Sequence, residues 1–502
     1  MKHRLLPIVR AVVAPFFLLV ALANASPAPA LFPAPGSTSV NPDTRLVLTF
    51  SAPPKIGESG LIRIYDAEGM QLVDTLDLSI PTSPNPNGRF PSRGEGGVAT
   101  APRVTIDPTV VYQKNLVDGV EFLFRPIIVR ANVATIHPHN GALKYGRTYV
   151  VKIEPSVLVP AEGEFAGIAG DREWTFTTKA APPPADTTRV VVAADGSGDF
   201  NTVQAAIEFF PRAPAKRATV FIRNGHYEEL VSLSNRGNLT IRGESRDGVQ
   251  VGYANNSAFQ PGRRWAFSLL NCADIQLSNF TINNYLIGQA EALMVRGERI
   301  IVDHMTLNGS GDAFTPYGTV YFADSLLTGD GDTVLGYAAV YFLRSEIRSR
   351  GPFTWTRTPQ GSHGNVFVDC TLIGLEEPLP WTVTDANPAG RIVKAPFARL
   401  PRNRSATATA TNFPYAEMVL INTRTSGVPP EGWGPIEEAP GFDSSNVRFW
   451  EYNTMDLEGR PVDVSQRHPV SKQLTMEKDA ETIANYRNPA FVLGGWTPVV
   501  EP

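Results

Sequence analysis

The sequence predicts an all-β protein in which a β-sandwich precedes a right-handed parallel β-helix. Three observations carry this expectation: an abundance of turn formers, alternating strand-like runs in the first third, and a strand-like run further on that recurs every 20 to 26 residues. The 502 residues include 42 glycines and 43 prolines and only 19% are charged, which suits short strands joined by tight turns better than long solvated helices. A chain of this length exceeds what one core usually fills, so two or more domains are expected. The formal net charge of −4 argues against a nucleic-acid partner, which would need a basic footprint to neutralise phosphates.

Residues 1–25 read as a signal peptide. Lys2, His3, Arg4 and Arg10 precede an apolar run from Ala11 to Ala23, and the small residues Ala23 and Ala25 flank a cleavage point before Ser26. The run is short for a membrane span and no later segment is long enough, so a secreted product, periplasmic or extracellular, is expected. The two cysteines, Cys272 and Cys370, lie in strand-like apolar runs and read as separate buried thiols, with a single bridge left open.

Residues 26–180 carry the sandwich. Arg45 to Phe50, Leu61 to Tyr65, Tyr149 to Ile153 and Trp174 to Thr178 alternate with period two between Gly/Pro turns, as antiparallel strands do. His137 and His139, on either side of Pro138, read as solvated loop residues. The stretch 181–188, APPPADTT, reads as a Pro-rich linker, so a chain cut before about residue 185 is expected to keep a folded, active second domain.

Residues 189–502 carry the β-helix. The eight-residue runs that start at Ile275, Ile300, Val320, Val340 and Val366 are about 25, 20, 20 and 26 residues apart, too close for βαβ units and suited to stacked coils. Alternation places Val320 and Phe322 inside the coil and Tyr321 and Ala323 outside. ATVFIRNG and NLTIRGE supply earlier coils. Before them, Val203, Ile207 and Phe210 share one side of a helix that covers the open end of the stack.

The repeat also sets a phase. Asp312 lies 12 residues beyond Ile300, and Asp332 lies 12 beyond Val320, so the two aspartates fall on one face of consecutive coils. Neighbouring strands are about 4.8 Å apart, close enough for two carboxyls to push their proton affinities apart, as acid and nucleophile roles require. The other reading is that Gly311-Asp312 and Gly331-Asp332 are solvated turns.

VVVAADGSGDFNTVQAAIEFFP, ATVFIRNGHYEE and NLTIRGE, followed in order by QAEALMV at 289–295, GDAF at 311–314 and GDGDTVLG at 329–336, resemble the pectinesterase family, whose motifs there read QAVAL, QDT and GTVDFIFG. FARLPRN and PPEGW resemble its LGRPW and GW turns. NPDTRLVLTFSAPP and GRTYVVKIEPSVL, with REWTFTT, resemble bacterial immunoglobulin-like modules of secreted proteins, which implies a spacer or attachment role. The pectinesterase resemblance implies a carbohydrate esterase that acts on methylated pectin without metal or cofactor, and a monomer is the expected state. It also implies that Asp332 is the nucleophile, Asp312 the general acid and then base, Gln289 an oxyanion donor, and Arg399 the partner of Asp332, with Arg402 and Arg404 competing for that place. Each has a plainer reading: a turn amide for Gln289, a structural arginine for Arg399.

Two departures stand out. Gly311 occupies the place of the family's glutamine, so an oxyanion donor is missing, and Gly311→Gln is expected to raise turnover modestly unless the turn needs a positive φ. Leu400 and Pro401 follow Arg399 where the family has tryptophan, so substrate stacking is expected from Tyr317, Trp355 and Trp381, unless these pack in the core. Three further readings stay open: cleavage of the polygalacturonate chain, polysaccharide binding without catalysis, and a calcium site from Asp324, Asp330 and Asp332.

Overall fold

The structure, a computed structural model, describes residues 28–89, 104–400, 413–436 and 442–502. The signal-peptide reading of residues 1–25 and the competing arginines Arg402 and Arg404 lie outside the described residues. No helix among the described residues is long and apolar enough to cross a membrane.

The first part is a sandwich of two sheets. One contains Ala30–Phe32, Leu46–Thr49, Val133–Ile136 and Ile127–Arg130; the other contains Ser37–Val40, Thr175–Thr178, Thr148–Ile153, Leu61–Asp66 and Gln71–Asp77. Alternate residues turn inward, so Leu48, Ile62, Ile64, Val151, Trp174 and Phe176 form a core between the sheets. The sheets are not wholly antiparallel as expected. Gly36, at φ 78°, carries the chain from the first sheet into the second, where Ser37–Val40 pairs in parallel with Thr175–Thr178.

The two histidines also differ from expectation. His137 is buried just past Val133–Ile136, and burial holds its imidazole well below the usual range, so it is neutral there. His139 is tied to Asp74 through Nδ1 at 2.6 Å, while its backbone N–H donates to the same carboxylate at 2.9 Å.

The second part is a parallel β-helix. Among the described residues, one long parallel sheet runs from Arg189–Val192 through Phe267–Ser278, Leu293–Asp303, Phe314–Ala323 and Val334–Leu343 to Ser471–Gln473. A second parallel sheet stacks Thr281–Asn284, Thr306–Asn308, Leu326–Gly329, Glu346–Ser349, Thr371–Gly374 and Arg424–Ser426 in the same order. The chain turns from the first sheet to the second through one left-handed residue per coil. Asn279, His304, Asp324, Arg344, Asp369, Asn422 and Asn453 occupy this corner at φ values from 46° to 61°. Asn and Asp tolerate that conformation better than other side chains, which explains their excess in the column.

The residue after each corner points inward. Ser325, Ser345 and Cys370 successively bond the carbonyls of Ala323, Leu343 and Val368, two residues back. Cys370 therefore stands where its neighbours have a hydroxyl, and burial raises its thiol to about 12. Both cysteines are free and buried, as expected.

Val320 and Phe322 are fully buried inside the coil, while Tyr321 packs on the outer face against a cluster with Tyr341, Val366 and Val419. Ala323, expected outside, is buried as well. Ile483, Tyr486 and Val492 of the C-terminal helices pack in the outer cluster with Tyr341. The last repeat is shifted by one residue from the predicted alignment. Asn365, not Val366, pairs with Val340, which brings Phe367 inside over Phe342 with ring centroids 4.3 Å apart. A polar Asn at the head of the run hid this register, and a one-residue slip would have turned Phe367 outward.

Helix Val203–Phe209 begins at Thr202, whose hydroxyl accepts from Ala205 N, and it closes the stack with Val203, Ile207 and Phe210 in the coil core. The sandwich part contributes to that closure. Val117 and Phe122, from the hairpin Lys114–Val117 and Val120–Leu123, join the coil core. At the hairpin turn, Asp118 grips the buried Arg236 at 2.7 and 2.8 Å, and Arg236 donates to the carbonyls of Ile207 and Phe210 at the helix end. The stretch 181–188 is thus one connection among several. A cut near residue 185 takes Asp118 from Arg236 and Val117 and Phe122 from the coil core, while Arg236 keeps the carbonyls of Ile207 and Phe210.

Candidate active site

Two corner loops on consecutive coils present Asp312 and Asp332. Asp312 N donates to Gly331 O at 3.2 Å and Asp330 N to Ser310 O at 3.1 Å, so the loops extend the parallel ladder and keep the two aspartates in phase. Both lie in the left-handed region, at φ 61° and 45°, where the short polar side chain of aspartate is tolerated.

Their surroundings differ. Asp332 is partly exposed and held by Arg399, whose Nε and Nη2 bond its two oxygens in a bidentate pair. Arg399 arrives on Ala398–Arg399, which pairs in parallel with Thr354–Thr356 so that Trp355 lies opposite it. The Arg399 guanidinium lies 4.4 Å, and that of Arg357 3.7 Å, from the Trp355 ring centroid.

Asp312 is buried. Gln289 Nε2 donates to its Oδ2 at 3.3 Å, and Ser257 Oγ steadies Gln289 by donating to Oε1 at 3.1 Å. Arg264 Nη2 reaches the same Asp312 oxygen at 3.0 Å, while Arg264 Nε contacts Glu291 at 2.5 Å. Burial is the largest influence on Asp312 and raises its carboxyl to about 6; Arg264 opposes the rise and Asp332 adds to it. Glu291, completely buried, is raised as well, again by burial first, and Arg264, in closer contact with Glu291 than with Asp312, opposes that rise. The site therefore holds an arginine-clamped carboxylate beside a carboxyl that keeps its proton to higher pH, the division that nucleophile and acid roles need.

Gly311 is glycine for a reason other than the one expected. Its φ lies outside the left-handed region, whereas neighbouring Gly331 sits at φ 116°. A Cβ on Gly311 would stand 2.8 Å from the carbonyl oxygen of Gly288, to which Gly311 N itself donates. A side chain there displaces backbone, so the expected gain from Gly311→Gln gives way to an expected loss.

Of the three predicted aromatics, Trp355 lies against Arg399. Tyr317 stacks on Tyr337 in the next coil with centroids 5.6 Å apart, and Arg296 lies over its ring at 5.5 Å. Trp381 lies in the 3₁₀ turn Pro380–Thr382, on an excursion from the coils rather than on a coil strand. The aspartates weighed as calcium ligands each have their own arginine: Asp324 has Arg344, Asp330 has Arg350 and Asp332 has Arg399. Sequence reasoning missed Arg264, Glu291 and Arg357. Only Glu291 left a signal, a charge inside the apolar run QAEALMV.

Residues 189–369 match the pectinesterase family. The match takes in Gln289, Glu291, Asp312 and Asp332 and ends before Arg399. A probable pectinesterase/pectinesterase inhibitor 42 of Arabidopsis thaliana is 30% identical over 135 residues, 26% of this chain and 25% of that protein. Pectinesterase 4 of the same plant is 25% identical over 282 residues, 53% of this chain and 45% of that protein. The alignments thus span a quarter to just under half of these relatives' length. The solved pectin methylesterase from carrot superposes with a TM-score of 0.50 at 19% identity, covering 64% of this chain and 95% of that one, a likeness of fold.

Proposed function

We propose that the chain is a carboxylic ester hydrolase of the pectinesterase type, which removes methyl groups from methylated polygalacturonate through an aspartyl acyl-enzyme. Asp332 Oδ attacks the ester carbonyl carbon, and the carbonyl electron pair moves onto oxygen. Gln289 Nε2, beside Asp312 Oδ2, supplies the side-chain donor for that oxyanion in this reading. As the tetrahedral centre collapses, the C–O bond to methoxide breaks and Asp312 gives its proton to that oxygen, releasing methanol. Asp312, now ionised, takes a proton from water, which attacks the anhydride and frees both the polymer carboxylate and Asp332. Arg399 aims the Asp332 carboxylate for attack and receives it again when the anhydride is cleaved.

The observation that carries this reading is the pairing of the Arg399-clamped Asp332 with the buried Asp312 one coil away. Stacking of sugar rings falls to Tyr317, Trp355 and Trp381 in the same reading. The sandwich is assigned as an immunoglobulin-like spacer spanning 26–180, with 181–188 as linker and 189–502 as the esterase, acting as an exported monomer. The test is incubation of the full chain with highly methylated pectin while methanol, new reducing ends and unsaturated ends are measured together. Methanol without new ends is expected; chain ends without methanol would replace the esterase with a chain-cleaving enzyme, and neither product would leave a binding protein.

A further inference from the structure

Arg264 and Glu291 form a buried pair behind Asp312 that the esterase reading does not use. Arg264 bridges the two carboxyls, 2.5 Å from Glu291 and 3.0 Å from Asp312. Thr315 joins them from the other side: its hydroxyl lies 3.1 Å from the Asp312 backbone carbonyl and 3.4 Å from Glu291 Oε1. The second Glu291 oxygen, Oε2, is buried without a hydrogen-bond partner among the described residues. A carboxylate so placed is costly unless a specific charge needs it. Glu291 stands where the family motif has valine, so an apolar residue fits this strand position and the charge has a separate cause.

The cause lies in what Arg264 does to Asp312. A guanidinium in direct contact with a carboxyl favours the ionised form. A general acid must begin the reaction protonated, so Arg264 alone would position Asp312 and disable it together. We propose that Glu291 is a positioning residue for ester hydrolysis: by neutralising Arg264, it lets that arginine hold Asp312 in place without removing the proton Asp312 must donate. The proposal rests on the esterase reading for its consequence in catalysis, but not for the electrostatic linkage itself. The other groups that act on Asp312 are Asp332 from the next coil, Arg357 beyond Thr354–Thr356, and Arg399; Gln289 is neutral. None of these contacts Glu291 among the described hydrogen bonds and ion pairs, so changing the charge of Glu291 acts on Asp312 directly and through Arg264, which touches both carboxyls.

The test follows the Asp312 carboxyl by ¹³C NMR across a pH titration of the full chain, with the resonance assigned by its loss in Asp312→Asn. In Glu291→Gln, Arg264 is uncompensated and the proton affinity of Asp312 falls about tenfold. In Arg264→Met the affinity rises, and in the double variant Arg264→Met with Glu291→Val it returns to within about threefold of the parent. Methanol release is measured in parallel: Glu291→Gln moves the alkaline limb of kcat about one pH unit down, with KM little changed. Opposite shifts in the two single variants support the proposal, and either variant alone gives a sign if the other fails to fold. An unmoved Asp312 titration, or shifts of one sign, would overturn it and leave Glu291 a packing residue. Should the parent chain release no methanol, the esterase reading fails, while the titration still decides the linkage.

Discussion

Asp312 and Asp332 occupy the same corner of consecutive coils, both with left-handed backbone, and differ almost wholly in what surrounds them. Asp332 is partly exposed and meets one guanidinium with both oxygens. Asp312 is buried and shares its guanidinium with a second carboxyl. The repeat thus supplies two equivalent backbone positions, and the loops that lean on them make one a clamped anion and the other a proton carrier. Position in the coil brings the pair together; the partners divide the labour.

The largest effect is expected where the division is absolute. Asp332→Asn removes the nucleophile and should lower methanol release by roughly 10⁴-fold or more, with the circular dichroism spectrum unchanged. Asp312→Asn leaves an amide that can donate a hydrogen bond but no proton. A fall of about 10²- to 10⁴-fold is expected, confined to kcat, as measured by steady-state methanol release. Gly311→Gln tests whether the corner tolerates a side chain at all. The 2.8 Å approach of its Cβ to Gly288 O predicts lower turnover together with a lower melting temperature, at a cost of about 1–3 kcal/mol. Rising turnover at unchanged stability would restore the missing-donor explanation. The smallest effect is expected at Trp355, which faces only the Asp332 side. Trp355→Ala removes a cation–π contact of about 0.5–2 kcal/mol from Arg399 and should lower kcat/KM roughly 2- to 30-fold, leaving the pH dependence set by Asp312 in place.

Much of this contrast was legible because a β-helix is periodic. Equal offsets from Ile300 and Val320 placed the two aspartates in phase, and those two residues do pair in the ladder. Alternation within one run identified Val320 and Phe322 as core. What periodicity does not govern stayed hidden. Arg264 reaches Asp312 from a stretch that precedes the Phe267–Ser278 strand and carries no coil phase. Asp118 closes the end of the stack from a hairpin more than a hundred residues before Arg236, a contact with no local sequence mark. The shift at Asn365 escaped because hydrophobicity alone starts the run at Val366, while packing of Phe367 on Phe342 sets the register. His137 escaped for the converse reason: a histidine in a short Pro-containing motif gives no hint that the preceding strand carries it into the interior.

The most direct test of the division between the two aspartates is the pH dependence of kcat/KM for methanol release from methylated pectin. Asp312 must hold its proton to act as acid, and burial raises its carboxyl to about 6. Activity is therefore expected to be high below that value and to fall about tenfold per pH unit as the pH rises past it. In Glu291→Gln the fall begins at lower pH. A rate that stays level or climbs from pH 6 to 9 would contradict Asp312 as the proton donor.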